Sequence, residues 1–241
     1  MSLTICTVSG KGGTGKSTIS LGLAIAAARA GKRVLILDLD SGLRCLDLIF
    51  GIEENIVSDL GDALRESDIN RAAYKSANYN NIWVVPALLT AEKIDFSKLS
   101  SLLKKAKNDY DIIILDFPAG ADFDAYNQFG DAVFLIVSGA DNVSLRDAAV
   151  ISNGIRSNNE PRLVINRFDI GMIKIGLNRN IDDTINSSLT RLIGIVPADG
   201  ELLMLSLNHN LSPNGRAMKA FDRIIRRLSG EDVPLPKLKK I

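Results

Sequence analysis

The chain has 241 residues, 46% of them apolar, which is enough for a substantial core in one larger α/β domain, and its formal net charge of +1 gives no bulk field for nucleic acid or anionic lipid. Two cysteines and a single histidine, His209, exclude a disulfide framework and a histidine-built metal centre and fit a reducing cytoplasm. The N-terminal apolar run is short and leads straight into a glycine-rich loop, unlike a signal peptide, and no apolar run approaches the roughly 18 residues of a membrane span.

Residues 4–8, Thr-Ile-Cys-Thr-Val, form a short β-prone run. Gly10-Lys11-Gly12-Gly13-Thr14-Gly15-Lys16-Ser17-Thr18 follows and fits the phosphate-binding pattern G-x-x-x-x-G-K-[ST]. Glycines let successive backbone N–H groups turn toward phosphate oxygens. Lys16 is expected to reach the β- and γ-phosphates, and the Ser17 hydroxyl to sit on Mg²⁺, which prefers a few oxygen ligands besides its water. An Ala- and Leu-rich helix over residues 17–29 would start at the phosphates and add its dipole to the anion site. Lys11 is a second cation in the same loop; a solvated lysine at a loop edge is the plain alternative.

After Gly31-Lys32, residues 33–38 read as a buried strand ending in Asp38-Leu39-Asp40. Carboxylates at a strand's C-terminal edge lie on the rim where open α/β sheets bind ligands. Asp40 is a candidate for positioning an attacking water, and Asp38 for holding metal-bound water. A turn or helix cap would use the same residue type. Helical spacing marks residues 58–65 and 95–107, with a strand at Ile82-Trp83-Val84-Val85 between them. Trp83 reads as packing, and the lysines after Asp95 as a solvated face.

A second buried run, residues 111–115, delivers Asp116 to the same rim, where it would hold Mg²⁺ through water. The magnesium set expected is Ser17, Asp38, Asp40 and Asp116. Pro118 and Gly120 make a turn able to rearrange when a γ-phosphate leaves. No cysteine follows Asp116, which disfavours a cluster-binding ATPase. Further strands are expected at residues 132–137, 161–166 and 191–197, with a helix opening at Asp141. Asn166-Arg167-Phe168-Asp169 has the N-x-x-D spacing of guanine readers, with arginine in place of their lysine. A last helix over residues 216–228 sets Met218, Phe221, Ile224, Ile225 and Leu228 against Arg216, Lys219, Arg223, Arg226 and Arg227. That basic face is either solvated or a surface for lipid or DNA phosphate. Pro234 and Pro236 interrupt the residues beyond it, and 229–241 are expected as a flexible tail on one domain spanning 1–241.

Residues 11–17 resemble the deviant Walker A loop of the MinD/ParA family of ATPases. Residues 38–51 resemble the MinD members in particular, with Cys45 where they have asparagine. Asp116-Phe117-Pro118-Ala119-Gly120 resembles the family's D-x-P-A-G switch. The resemblance implies a mainly parallel central sheet with helices on both faces, the P-loop NTPase fold, with ATP and Mg²⁺ as ligands. It implies that Lys11 reaches a partner's nucleotide across an ATP-dependent homodimer, and that Lys11, Lys16 and Asp40 carry the catalysis. Asn166 and Arg167 would serve adenine, and Pro197 and Asp199 lie in the family's base-binding loop, although a structural turn is an equal use of Pro197. The functions implied are division-site placement with a regulatory protein partner at the inner face of the membrane, partitioning of DNA or other cargo with nonspecific DNA bound, or a scaffold for flagellar or pilus placement.

Overall fold

A computed structural model describes residues 2–41, 45–89, 93–155, 157–171, 190–204 and 211–236. Residues 42–44 of the family-like stretch, His209 and the basic end at 237–241 lie outside the described residues.

The apolar runs become strands because each is buried on both faces, as a parallel sheet covered by helices requires. They are β1 (Leu3–Val8), β2 (Val34–Asp38), β3 (Tyr74–Lys75), β4 (Ile82–Val85), β5 (Ile112–Asp116), β6 (Val133–Ser138), β7 (Arg162–Phe168) and β8 (Arg191–Pro197). One sheet contains all eight in the order β3-β4-β2-β5-β1-β6-β7-β8. Seven are parallel; β3 alone runs antiparallel, pairing Tyr74 with Val84 and Lys75 with Trp83. At two residues β3 is too short to leave a periodic signal, so the sequence announces only the other seven.

The helices are α1 (Lys16–Arg29), α2 (Leu46–Phe50), α3 (Leu60–Glu66), α4 (Phe96–Ala106), α5 (Phe123–Tyr126), α6 (Asn142–Gly154), α7 (Gly200–Leu203) and α8 (Arg216–Leu228). One core layer packs α1, α2 and α8 on the face carrying Ile5, Ile36 and Ile114. The other packs α3, α4, α5 and α6 on the face carrying Cys6, Leu37 and Leu115. Helix α1 is buried between sheet and α8, which explains its nearly unbroken apolar sequence. The two helices approach closely at Gly22, where an added Cβ would stand 2.2 Å from the Phe221 ring.

The basic face of α8 loses one expected member. Arg227 turns inward and donates to the carbonyls of Ile193, Val233 and Pro234 at 2.6–2.7 Å. A guanidinium carries five donors, and the chain following α8 supplies carbonyls for them. Residues 229–236 thereby run against β8 and α8, with Pro236 beside Arg216, Lys219 and Arg223.

β1 sits at the centre, with the chain order departing from it both ways: β5 and β2 lie on one side, β6 and β7 on the other. Open α/β sheets bind ligands in the crevice outside the strand ends at such a switch point.

Candidate functional site

The phosphate loop leaves the end of β1 and enters α1 at Lys16. Gly13 and Gly15 hold φ of 76° and 89°, the left-handed region where a side chain is strained. Gly15 caps α1 with no side-chain hydrogen bond, so the first-turn N–H groups stay available to an anion. An added Cβ at Gly12 or Gly13 would meet nothing within 4 Å, whereas one at Gly15 would stand 2.2 Å from Asn166 Nδ2. The loop is an open cradle on one side and is packed against β7 on the other. Gly10 instead lies against α6, with Asp147 Cβ 2.9 Å from where its own Cβ would be.

Lys16 is 8% exposed, and its charge reaches Asp116. Asp38 and Asp116 end neighbouring strands in register. Both are buried, at 1% and 2% exposure. Burial, then the Asp116 carboxylate, pushes the Asp38 acid up to about 7. Burial raises Asp116 as well, against the Ser17, Ser20 and Thr7 hydroxyls and Lys16. Two buried carboxylates held up in this way, beside the Ser17 hydroxyl, are a donor set in want of a cation. Among the described residues no three His, Cys, Asp or Glu side chains gather as a metal cluster. The set therefore suits an ion that keeps water and phosphate ligands, as Mg²⁺ does.

Asp40 does not join that pair. Its backbone N–H donates to Asp38 Oδ1 at 3.0 Å, while the residue lines a groove of about 670 Å³ with Leu39, Phe96, Pro118 and Asp122. Of the four residues expected at the magnesium, Ser17, Asp38 and Asp116 stand together at the strand edge, and Asp40 lies beside them on the turn after β2.

Lys11 is 44% exposed at its side chain, and its Nζ lies 3.3 Å from Asp147 Oδ2 on α6. No residue pattern couples these two; α6 brings Asp147 over the loop. Cys45, which stands where the family members have asparagine, comes close to Asp38 and Asp116 through the fold. Its N–H lies 3.5 Å from Asp38 Oδ2. Burial, then Asp38 and Asp116, pushes the thiol up to about 12, so it remains a neutral thiol near the Ser17 hydroxyl. Gly120 N–H donates to Ser9 O at 3.0 Å, tying the turn after β5 to the phosphate loop.

A cavity of about 120 Å³ opens between Thr18, Asn166, Arg167, Pro197, Ala198, Asp199 and Leu202. Asn166 Nδ2 donates to Thr14 O at 2.8 Å. Its Oδ1 is buried without a partner, as is the Thr14 hydroxyl. A buried acceptor left unmade is costly, and Asn166, which lines this cavity, carries one. Asp169 does not face that cavity as a base reader; its Oδ1 accepts from Gly171 N at 2.8 Å as a local cap. Asp199 caps as well, accepting from Glu201 N and Ala217 N and so tying α7 to α8. Pro197 is buried at the end of β8, in register with Phe168, and Arg167 takes φ of 53° where β7 bulges.

Residues 5–211 match the model of the CobQ/CobB/MinD/ParA nucleotide-binding domain. The septum site-determining protein MinD of Bacillus subtilis is 34% identical, over 98% of this chain and 92% of its own. In the MinC:MinD cell division complex of Aquifex aeolicus a chain superposes with a TM-score of 0.85 at 31% identity, covering 98% of this chain and 99% of that one. The cell division ATPase MinD of Pyrococcus furiosus superposes with a TM-score of 0.80 at 25% identity, covering 95% and 99%. On this sequence match, and on a fold and phosphate loop that agree with it, the chain belongs to the MinD/ParA family of nucleotide-binding proteins, among its MinD-like members.

Proposed function

We propose that this protein is a Mg²⁺-dependent ATPase that dimerises on ATP and acts as a spatial switch in division-site placement. The observation that carries the proposal is the pairing of two lysines in one loop. Lys16 is buried beside the Asp38/Asp116 edge, while Lys11 is held at the rim by an exposed ion pair. Such a pair is worth about 0.2–1 kcal/mol, so Lys11 leaves it at little cost for a γ-phosphate presented by a second copy.

Phosphoryl transfer to water needs positioning and charge neutralisation more than covalent chemistry. Magnesium, when bound, neutralises charge on the β- and γ-phosphate oxygens. The loop amides and the α1 N-terminus orient the phosphates, and Lys16 places a fixed positive charge on them. Ser17, Asp38 and Asp116 supply the oxygen edge. Asp40, on the open groove, orients the attacking water and accepts its proton as the bond forms. Asn166 would meet the base through its open acceptor, and with Asp169 engaged in a cap the guanine-reading alternative loses its carboxylate, which supports ATP over GTP. The MinC:MinD relative supports a MinC-like protein as the regulatory partner.

Sedimentation of the purified chain with Mg-ATP or Mg-ADP tests the proposal. A dimer with ATP, a monomer with ADP, and a Lys11→Ala variant that binds ATP yet stays monomeric are expected. Unchanged dimerisation in that variant removes the trans role of Lys11.

A further inference from the structure

Two hydroxyls behind the magnesium edge have no part in the function described so far. Thr7 on β1 and Ser20 on α1 are both 0% exposed. Their oxygens lie 2.6 Å apart. Ser20 Oγ donates to Asp116 Oδ1 at 2.9 Å, and Thr7 Oγ1 lies 3.1 Å from the same oxygen. Thr7 is also within 3.2 Å of Leu115 O. Across the strands Thr7, Asp116 and Asp38 stand in one row on β1, β5 and β2.

Packing alone does not account for this pair. Its neighbours in the same layer include Ile5, Ile19 and Ile114, where valine and alanine would fit as well. Replacing two buried hydrogen-bonding partners by apolar groups of like shape is often nearly neutral. A buried carboxylate changes that balance, since hydrogen bonds to charged groups are about twice as strong as neutral ones. Thr7 gives its one proton either to Ser20 Oγ or directly to Asp116 Oδ1, and Ser20 donates to that same oxygen, so in both arrangements the pair acts on Oδ1, through a relay or side by side. Both contacts fall on Oδ1. They therefore fix the rotation of the carboxylate and leave the lone pairs of Oδ2 uncommitted to either hydroxyl.

We propose that Thr7 and Ser20 are positioning residues that lock the Asp116 carboxylate in the orientation required to hold magnesium at the nucleotide. The proposal rests on the reading of Asp116 as part of the magnesium edge. Outer-shell partners of this kind typically set 10–100-fold in metal affinity.

The test uses the full chain with a fluorescent ADP analogue, titrated with Mg²⁺, and the same analogue in EDTA. Ser20→Ala and Thr7→Val are expected to raise the half-saturating Mg²⁺ about tenfold. Thr7→Ser, which keeps the hydroxyl, is expected to stay within about twofold of the parent, far inside that outer-shell effect. Metal-free affinity for the analogue is expected to be the same in all of them. An unchanged Mg²⁺ midpoint in both Ser20→Ala and Thr7→Val overturns the proposal. So does an equal loss of affinity with and without Mg²⁺, which would mark general damage to the loop. If Ser20→Ala does not fold, the contrast between Thr7→Val and Thr7→Ser decides alone. A parent chain that binds the analogue but ignores Mg²⁺ would overturn the magnesium reading itself, a result distinct from failure of the positioning role.

Discussion

At the residue scale the strand-end carboxylates carry the electrostatics. Asp38 is raised from 3.8 to about 7 by burial and by Asp116. The folded chain therefore keeps a proton that the unfolded chain releases near pH 4. Unfolded chains bind fewer protons than folded ones across that interval, so metal-free stability falls as pH rises from about 4 to about 7 and levels off above. The slope is at most about 1.4 kcal/mol per pH unit for one group. Denaturant midpoints measured without Mg²⁺ across that range are expected to show the fall, and Asp38→Asn to reduce it to the part that the raised Asp116 contributes. Asp40, off the buried pair, has a different expected signature. Asp40→Ala retains ATP-induced dimerisation but loses turnover by about 10²-fold or more, the usual worth of a positioned acid or base. Normal phosphate release in that variant would remove it from the reaction. Lys16, Ser17 and Asp116 stand out in the sequence because their residue types and spacing match a phosphate- and metal-binding pattern. Asp147, Thr7 and Ser20 do not. An acid on a helix and a hydroxyl in an apolar run have many uses, and only the neighbours that folding supplies select one.

At the element scale the phosphate loop depends on how α1 is seated. α1 enters directly from the loop, and its far side rests on α8 through Gly22 and Phe221. Phe221 is fully buried, so a methyl at Gly22 has no space unless the ring or helix shifts. Gly22→Ala is expected to lower stability by about 1–3 kcal/mol, the ordinary cost of overpacking, despite alanine's better helix propensity. Thermal melts of Gly22→Ala, and of Gly22→Ala combined with Phe221→Leu, check this: the smaller partner should restore part of the loss. The amphipathic spacing of α8 announced which face is buried, with Met218, Phe221, Ile224 and Ile225 all inside. It did not announce Arg227, because carbonyls from Ile193 and from the chain beyond α8 decide its direction.

At the scale of the whole molecule, a net charge of +1 hides an uneven surface. Arg216, Lys219 and Arg223 line one small cavity on α8 together with Pro236. Each basic residue near an anionic lipid surface is worth about 1 kcal/mol, too little in one copy to hold the protein there. A dimer would double the set and make the second engagement intramolecular. The ATP dimer is therefore expected to pellet with vesicles of anionic phospholipid, and the ADP form to remain in solution. An ATP dimer that ignores lipid but is retained on nonspecific DNA in a salt-sensitive way would move the target to nucleic acid. Among the described residues no helix is long and apolar enough to cross a membrane.

The sequence by itself determined the layered α/β architecture, since apolar runs buried on both faces have few other arrangements. It also determined the phosphate loop, whose glycines and lysines act through contiguous backbone. The tertiary structure alone decided that Asp38 and Asp116 end neighbouring strands side by side, that Asp40 turns out toward a groove, that Lys11 rests on Asp147, and that Asn166 keeps an unpartnered acceptor. Apart from Asp40, whose place follows from the turn beside Asp38, these depend on distances between residues far apart in the chain. Such distances are fixed by strand order and helix seating, which no local pattern encodes.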